Sequence, residues 1–520
     1  MKKYKTSYLF IILFLLSAGL FAQEQVDLNV IQRIRKEGLE NSKVTEYVGY
    51  LTDVYGPRLA ESPEYRKAAE WTVGKLKEIG LQNVKLEPWG TFGRGWQLKK
   101  FYAAMTEPQY MPLIAYPKAW TQGTNGIVKG NAVLMDVKKP EDLEQYKGKL
   151  KDAIVLTQGE QEIPLSFEPD AKRRSYEDLK KLEDAPEPGA RSPYASRREE
   201  YRLRRQLQQA TSKFLKEEGA ALVLEPSRGK DGTVFVQSGG SYRLGSEEVP
   251  PSVVVSLEQY NRLVRILQKN VPVTIEAEVQ AEFDDSDSLG YNIIGEIPGT
   301  DKNLKDEIVM LGGHFDSWHA GTGATDNASG CAIAMEALRI LKTIGVKPKR
   351  TIRIALWDAE EEGLIGSRAY VKNHFFDSEI KEKKPEYDKL SVYFNYDNGS
   401  GKIRGIYAQS NNAVVPIFQE WLKPFNDLGA TTVTIRNTGS TDHASFDAVG
   451  LPGFQFIQDE LEYSTRTHHS NMDVYDNLSI GDLMQSATIM ASFVYNAAMR
   501  NGKLPRKYFD PDEVRSRRPY

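Results

Sequence analysis

Short apolar runs recur through the second half of the chain, each followed by a stretch with helical spacing. Residues 308–311, 351–357, 391–396 and 453–457 are rich in Ile, Val, Leu, Phe and Tyr with few polar breaks. Such runs suit strands buried on both faces. Between them, 328–341 and 363–374 place apolar residues at intervals of three and four, which predicts helices. Strand and helix therefore alternate from residue 276 to the end, and the expected fold class is α/β: a helix-covered, largely parallel (mixed) sheet.

The first part of the chain has a different texture. Residues 27 to 90 read as mainly helical, with a turn at Gly56-Pro57-Arg58, an amphipathic stretch over 62–79 and a stop at Gly80. A strand is expected over 84–88. From 115 to 275 short β-like runs dominate (153–156, 252–255), and 219–224 reads as a helix end running into a strand. This predicts an inserted α+β domain. Within it, 168–208 is crowded with Lys, Arg, Glu and Asp and reads as a solvated helical excursion. The expected division is 1–22, 23–114 and 276–520 around an insert of 115–275, because 520 residues exceed one ordinary core.

Charge and composition narrow the picture. There are 68 basic and 71 acidic residues, a net charge of −3, and no long basic stripe, so nucleic acid is not an expected partner. Lys2, Lys3 and Lys5 precede a short apolar run ending in small residues and Ala22, the layout of a secretory signal peptide. Export to a periplasm or the medium is expected, with no stable membrane span once the segment is cleaved. A retained anchor is the alternative. The single cysteine, Cys331, allows no internal disulfide and shares a helical face with Met335 and Leu338, as a core thiol would. Pairing of two copies is left open.

Candidate chemistry gathers where the predicted strands end. Gly312-Gly313-His314-Phe315-Asp316-Ser317-Trp318 follows the first run, and Asp326-Asn327 comes shortly after. Asp358-Ala359-Glu360-Glu361-Glu362 follows the second, and Asp397-Asn398-Gly399 the third. The last segment is His468-His469-Ser470-Asn471-Met472-Asp473. Taken singly, an acidic helix start or an Asp-Asn-Gly turn is unremarkable. Together they supply imidazoles and carboxylates at the strand ends where open α/β sheets bind ligands. That is a donor set for first-row metals, zinc above all. His314, Asp326, Glu361, Asp397 and His469 can hold two zinc ions if one carboxylate is shared, and three carboxylates nearly balance the two ions. His374 reads as structural, and Trp318 and Trp357 as packing residues.

These motifs resemble the co-catalytic di-zinc exopeptidases, the family of secreted aminopeptidases, glutamate carboxypeptidases and carboxypeptidase Q. The twelve-residue step from His314 to Asp326 and the Gly-Gly-His-Phe-Asp-Ser-Trp run are similar to the aminopeptidase and carboxypeptidase Q branches. Gly56-Pro57-Arg58-Leu59-Ala60 and Tyr146-Lys147-Gly148-Lys149-Leu150 resemble that branch's N-terminal segment and its protease-associated domain. The resemblance implies His314 and Asp397 on one zinc, Glu361 and His469 on the other, and Asp326 bridging. It also implies Glu360 as the general base, rather than Glu362, and Asp316 as the residue that orients His314. His469 is preferred to His468 because His469, Ser470 and Asp473 match the family's pattern. One departure from the resemblance is Glu362, where relatives often carry an apolar or aromatic residue. Gly439–Phe446 resembles a substrate-side loop, so His443 is a candidate pocket residue, and Arg466 is a candidate for binding a substrate carboxylate.

The implied activity is hydrolysis of short peptides from one end, with amino- or carboxy-terminal preference open. A glutaminyl-cyclase-like reaction needing one zinc and a non-catalytic, receptor-like relative are the alternatives.

Overall fold

The computed structural model describes residues 24–184 and 197–512, with side chains from 202 onward in the second stretch. The expected signal segment, 1–22, and the middle of the charged excursion lie outside the described residues.

Among the described residues, two eight-stranded sheets form the framework, with a small two-stranded ribbon, Phe376–Asp377 and Glu382–Lys383, beside them. Strands of the main sheet are numbered in chain order: β1 Gln82–Thr91, β2 Leu289–Ile297, β3 Ile308–His314, β4 Thr351–Trp357, β5 Leu390–Asn395, β6 Ile403–Tyr407, β7 Thr432–Thr434 and β8 Gly453–Gln458. Their spatial order is β1-β2-β4-β3-β5-β8-β6-β7. The centre, β4-β3-β5-β8, is parallel, whereas β1, β2 and the β8–β6 pair run antiparallel. The fold is thus mixed α/β.

Alternate residues of the central strands feed two cores, as the pleat requires. Val309, Leu311, Ile352 and Ile354 pack against the helices Ser329–Thr343 and Ile480–Met499. Ile308, Met310, Ala355 and Trp357 face the opposite layer, which includes Tyr370 and Phe446. Cys331 is buried in the first core.

The Gly-Gly before His314 has a packing cause. A Cβ on Gly312 would stand 1.8 Å from the Ala355 carbonyl oxygen, and one on Gly313 would stand 2.5 Å from that of Tyr396. The end of β3 therefore lies against its neighbours more closely than any side chain permits.

The second sheet differs from the expected insert. It includes the long antiparallel strands Gly95–Glu107 and Thr274–Asp284, which lie largely outside 115–275. The second unit thus spans 95 to 284, between β1 and β2. The charged excursion leaves this sheet between Ile154–Leu156 and Leu222–Pro226 and contains the helices Tyr176–Glu183 and Arg197–Glu218. Among the described residues, no helix is long and apolar enough to cross a membrane.

Candidate metal centre

The parallel strands β3, β4, β5 and β8 end on one edge of the main sheet, and the side chains singled out in the sequence converge there. His314 is the last residue of β3, and Asp397 lies two residues beyond β5. Glu360 and Glu361 occupy the turn between β4 and the helix Ile365–His374. Asp326 sits in the turn that opens the helix Ser329–Thr343. His469 follows β8 at a left-handed φ of 64°.

Asp326 is the hub. Its Oδ1 lies 3.1 Å from His314 Nε2, and its Oδ2 lies 3.2 Å from His469 Nε2. His314 Nε2 is also 3.6 Å from Asp397 Oδ1, and His469 Nε2 is 2.9 Å from Glu361 Oε2. One carboxylate thus faces two imidazoles, each of which faces a further carboxylate.

Two buried oxygens in this cluster, Asp326 Oδ2 and Glu361 Oε1, accept no hydrogen bond. His314, Asp326 and Glu361 can point ligand atoms to within 4.8 Å of one another, as can Asp326, His468 and His469. Orphaned buried acceptors cost stability unless a cation satisfies them, so the residues fit a metal. His468 lies farther off, 3.8 Å from Asp326 Oδ2, with its ring stacked between Tyr463 and His469.

Neighbouring groups hold the cluster in place. His314 Nδ1 donates to the backbone oxygen of Asp316 at 3.0 Å, which leaves Nε2 free to act as a ligand. The Asp316 carboxylate, expected to orient His314, stands farther off, with Oδ1 3.6 Å from Nδ1. Its Oδ1 and Oδ2 also accept the backbone N–H groups of Glu360 and Glu361, both at 3.1 Å. Asp316 therefore aims the Glu360-Glu361 turn as well as His314. Asp473 accepts from Thr325 N and Oγ1 at 2.6 and 2.7 Å and from Asp326 N at 3.2 Å, which pins the Asp326 turn. Beneath the site, buried Arg58 donates to the backbone oxygens of Phe315, Leu51, Thr322 and Gly323. It thereby shapes the loop between His314 and Asp326.

As protein side chains alone, the cluster is strongly polarised. Burial pulls the His314 imidazole down, but the charge of Asp397 and bonds to Asp316 and Asp326 lift it well above its usual value. His469, also opposed by burial, is raised to about 10 by Glu361 and Asp326. Burial would raise Asp326, yet its two histidines hold it well below the usual range. Glu361 is raised by burial, against the pull of His469, to about 7. Burial also lifts Glu360 and Glu362 well above the carboxylate range.

Other expectations fare differently. Trp318, read as a packing residue, donates Nε1 to Glu361 Oε2 at 2.8 Å and so belongs to the site. Trp357 does pack, against Tyr370, Tyr393 and Phe446. His374 pairs with Glu87 at 2.6 Å, away from the cluster. His443 is fully enclosed, with Nε2 bonded to the Thr438 carbonyl oxygen at 3.2 Å, so it lines no open surface. Arg466 is partly exposed on the turn before His468, with Nη1 3.8 Å from Glu462 Oε1.

Sequence reasoning missed Tyr463, whose buried hydroxyl is held above its usual range by burial and by Asp326, Asp397, Glu361 and Glu360. It also missed the second domain's part. Val236 N donates to His469 O at 3.0 Å, Phe235 pairs with Ser470, and Val234 N donates to Asn471 Oδ1 at 2.7 Å. No local pattern announces contacts between segments more than two hundred residues apart.

Residues 292–494 match the model of peptidase family M28. Sheet, site and match define the class: the chain is a zinc metallo-exopeptidase, and the residues that carry its site fall within the stretch that matches that family's model. Within the class, the chain is 26% identical over 472 residues to carboxypeptidase Q of Mus musculus, covering 90% of this chain and 88% of that one. The crystal structure of a peptidase M28 precursor from Shewanella amazonensis superposes with a TM-score of 0.65 at 25% identity, covering 92% of this chain and 98% of that one. The zinc aminopeptidase BSAP of Bacillus subtilis shares the fold, with a TM-score of 0.56 at 19% identity over 91% of this chain and 98% of that one.

Proposed function

We propose that the chain is an exported di-zinc exopeptidase acting on short peptides. His314 and Asp397 serve one ion, Glu361 and His469 the other, Asp326 is shared, and Glu360 is the general base. The observation that carries this reading is the arrangement of Asp326, whose two carboxylate oxygens face two different imidazoles at 3.1 and 3.2 Å. A single-ion site has no use for that symmetry. The pattern of residues 1–22 supports export.

Zinc bound at these residues would polarise the scissile carbonyl and acidify the attacking water. The protein's part is orientation and proton transfer. Glu360 accepts the water's proton and passes it to the leaving amine. Asp316 holds Glu360 and Glu361 by adjacent backbone N–H groups, so base and ligand move as one piece. Trp318 fixes Glu361 Oε2, and the Asp316 backbone oxygen fixes the His314 tautomer.

Elemental analysis combined with hydrolysis of dipeptides, N-blocked peptides and C-amidated peptides tests the proposal. Two zinc ions per chain and cleavage of free-ended peptides are expected. One zinc with cyclisation of N-terminal glutamine, or bound zinc with no hydrolysis, would overturn it.

One observation favours capture of the substrate's carboxylate over its amine. Arg228, in the second domain, has no carboxylate partner among the described residues, and its guanidinium lies 4.3 Å from the ring of Phe235, the residue paired with Ser470. Its charge reaches His468. Arg228→Ala is therefore expected to raise KM for free-carboxylate dipeptides about tenfold or more and to leave C-amidated substrates unaffected. Equal effects on both would assign Arg228 to packing.

A further inference from the structure

We propose that residues 170–174, at the start of the charged excursion of the second domain, form a strap that positions the His469 loop. It thereby determines whether the Glu361–His469 half of the metal centre is assembled. The proposal rests on the di-zinc reading, and it gives a task to residues that reading leaves unused.

The contact is built around one buried acid. Asp459 follows β8 directly and is fully inaccessible to solvent. Three groups converge on its carboxylate: Arg173 Nη1 on Oδ2 at 2.9 Å, and Arg174 N and Arg404 Nη1 on Oδ1 at 2.9 and 2.8 Å. Arg173 and Arg174 come from the excursion, and Arg404 from β6. Arg173 also binds Asp482, at the start of the helix Ile480–Met499, at 2.7 Å. Arg174 reaches the Gln458 carbonyl oxygen at 2.8 Å and Glu460 at 3.1 Å.

From Asp459 the strap continues along the loop that leads to the metal centre. Lys172 and Leu461 exchange both backbone hydrogen bonds, at 3.0 and 2.8 Å. Thr465 Oγ1 donates to Asp170 O at 2.9 Å. On the other side, Val236, from the same domain, bonds the His469 carbonyl oxygen. The second domain thus grips the segment 459–471 at both ends, and His469 lies between the grips. His314, Asp326, Glu361 and Asp397 sit on strand ends and turns of the main sheet itself, and the second domain meets their surroundings only indirectly, through His319 on the Pro117 carbonyl oxygen and Trp318 against Trp120.

A loop residue with positive φ holds a ligand geometry only when its surroundings over-determine it. Losing such support commonly costs about tenfold to a hundredfold in metal affinity. Arg173 and Arg174 are in this sense positioning residues.

The test compares wild type with Arg173→Met/Arg174→Met, which keeps the apolar stems and removes the charges. In zinc-stripped protein, hydrogen exchange of amides 460–471 is expected to accelerate, while 308–314 and 329–343 keep wild-type rates. On zinc titration, one ion is expected to bind as in wild type and the other about tenfold or more weakly. Unchanged exchange over 460–471, or equal acceleration everywhere, would overturn the strap. Thr465→Val removes a hydroxyl that reaches Asp170 O at 2.9 Å and, within its own turn, Glu462 O at 3.3 Å, and it serves if the double variant does not fold: the same local acceleration, smaller in size, is expected, and none would overturn the proposal. The zinc count of the wild type reads the di-zinc assignment separately, and the exchange data do not depend on it.

Discussion

Replacing Glu360 by Gln is expected to lower kcat about a thousandfold while both zinc ions stay bound. The substitution keeps size and shape and removes only the capacity to take up and release a proton. The geometry around it should survive, because the turn is held by the backbone N–H bonds of Glu360 and Glu361 to Asp316, which the substitution leaves in place. A thousandfold loss corresponds to about 4 kcal/mol of transition-state stabilisation, within the usual range for a positioned general base. Glu362→Gln supplies the contrast. Both Glu362 carboxyl oxygens are buried without a hydrogen-bond partner, and burial holds that group well above the carboxylate range. Burial moves Glu360 in the same direction, so the contrast rests on the proton-transfer role the resemblance gives to Glu360 alone, and most of the rate of Glu362→Gln should remain. Steady-state kinetics with elemental analysis of each variant decides the matter. A Glu360→Gln enzyme within tenfold of wild type, both metals bound, would remove Glu360 from the role.

The convergence of the site was legible because every candidate metal ligand except His469 sits close behind an apolar run or opens a helix. Parallel strands necessarily end on one edge, so finding the strands located His314, Glu361 and Asp397 together. Asp326 and His469 were legible as chemistry, but their placement depends on turns whose backbone angles no periodicity encodes. Trp318 shows the limit most clearly. Its side chain is apolar enough to pass for packing, and only the fold brings its N–H to Glu361.

The second domain was legible as a change of texture but not in extent. Its two long strands, Gly95–Glu107 and Thr274–Asp284, carry charged residues that pair across the ladder, as Lys100 does with Glu278 at 2.7 Å. A strand whose charges are satisfied across the ladder looks, in one dimension, like polar surface. The charged excursion misled for a related reason. Arg173 and Arg174 resemble their solvated neighbours in the sequence, and what distinguishes them is a buried acid almost three hundred positions away.

Asp326→Asn is expected to reduce zinc content from two ions to one or none and to abolish most activity. Asp326 is the one residue that faces both imidazoles, and an amide offers a single neutral acceptor where the carboxylate offers two charged ones. The consequence reaches the protons as well. In zinc-stripped protein, the carboxylates hold His314 well above its usual pKa and His469 at about 10, so both imidazoles carry protons at neutral pH. A metal requires the neutral ring, so zinc uptake must expel those protons. The sign follows directly: the apparent zinc affinity of the wild type should rise with pH from 7 towards 10, because fewer protons remain to be displaced. Without the Asp326 charge both imidazoles lose a partner and titrate lower, so any remaining zinc should bind with a shallower pH dependence. Calorimetry in two buffers of different ionisation enthalpy counts the protons, and elemental analysis counts the metals. Two zinc ions retained by Asp326→Asn, with wild-type proton release, would show that Asp326 is not shared between them.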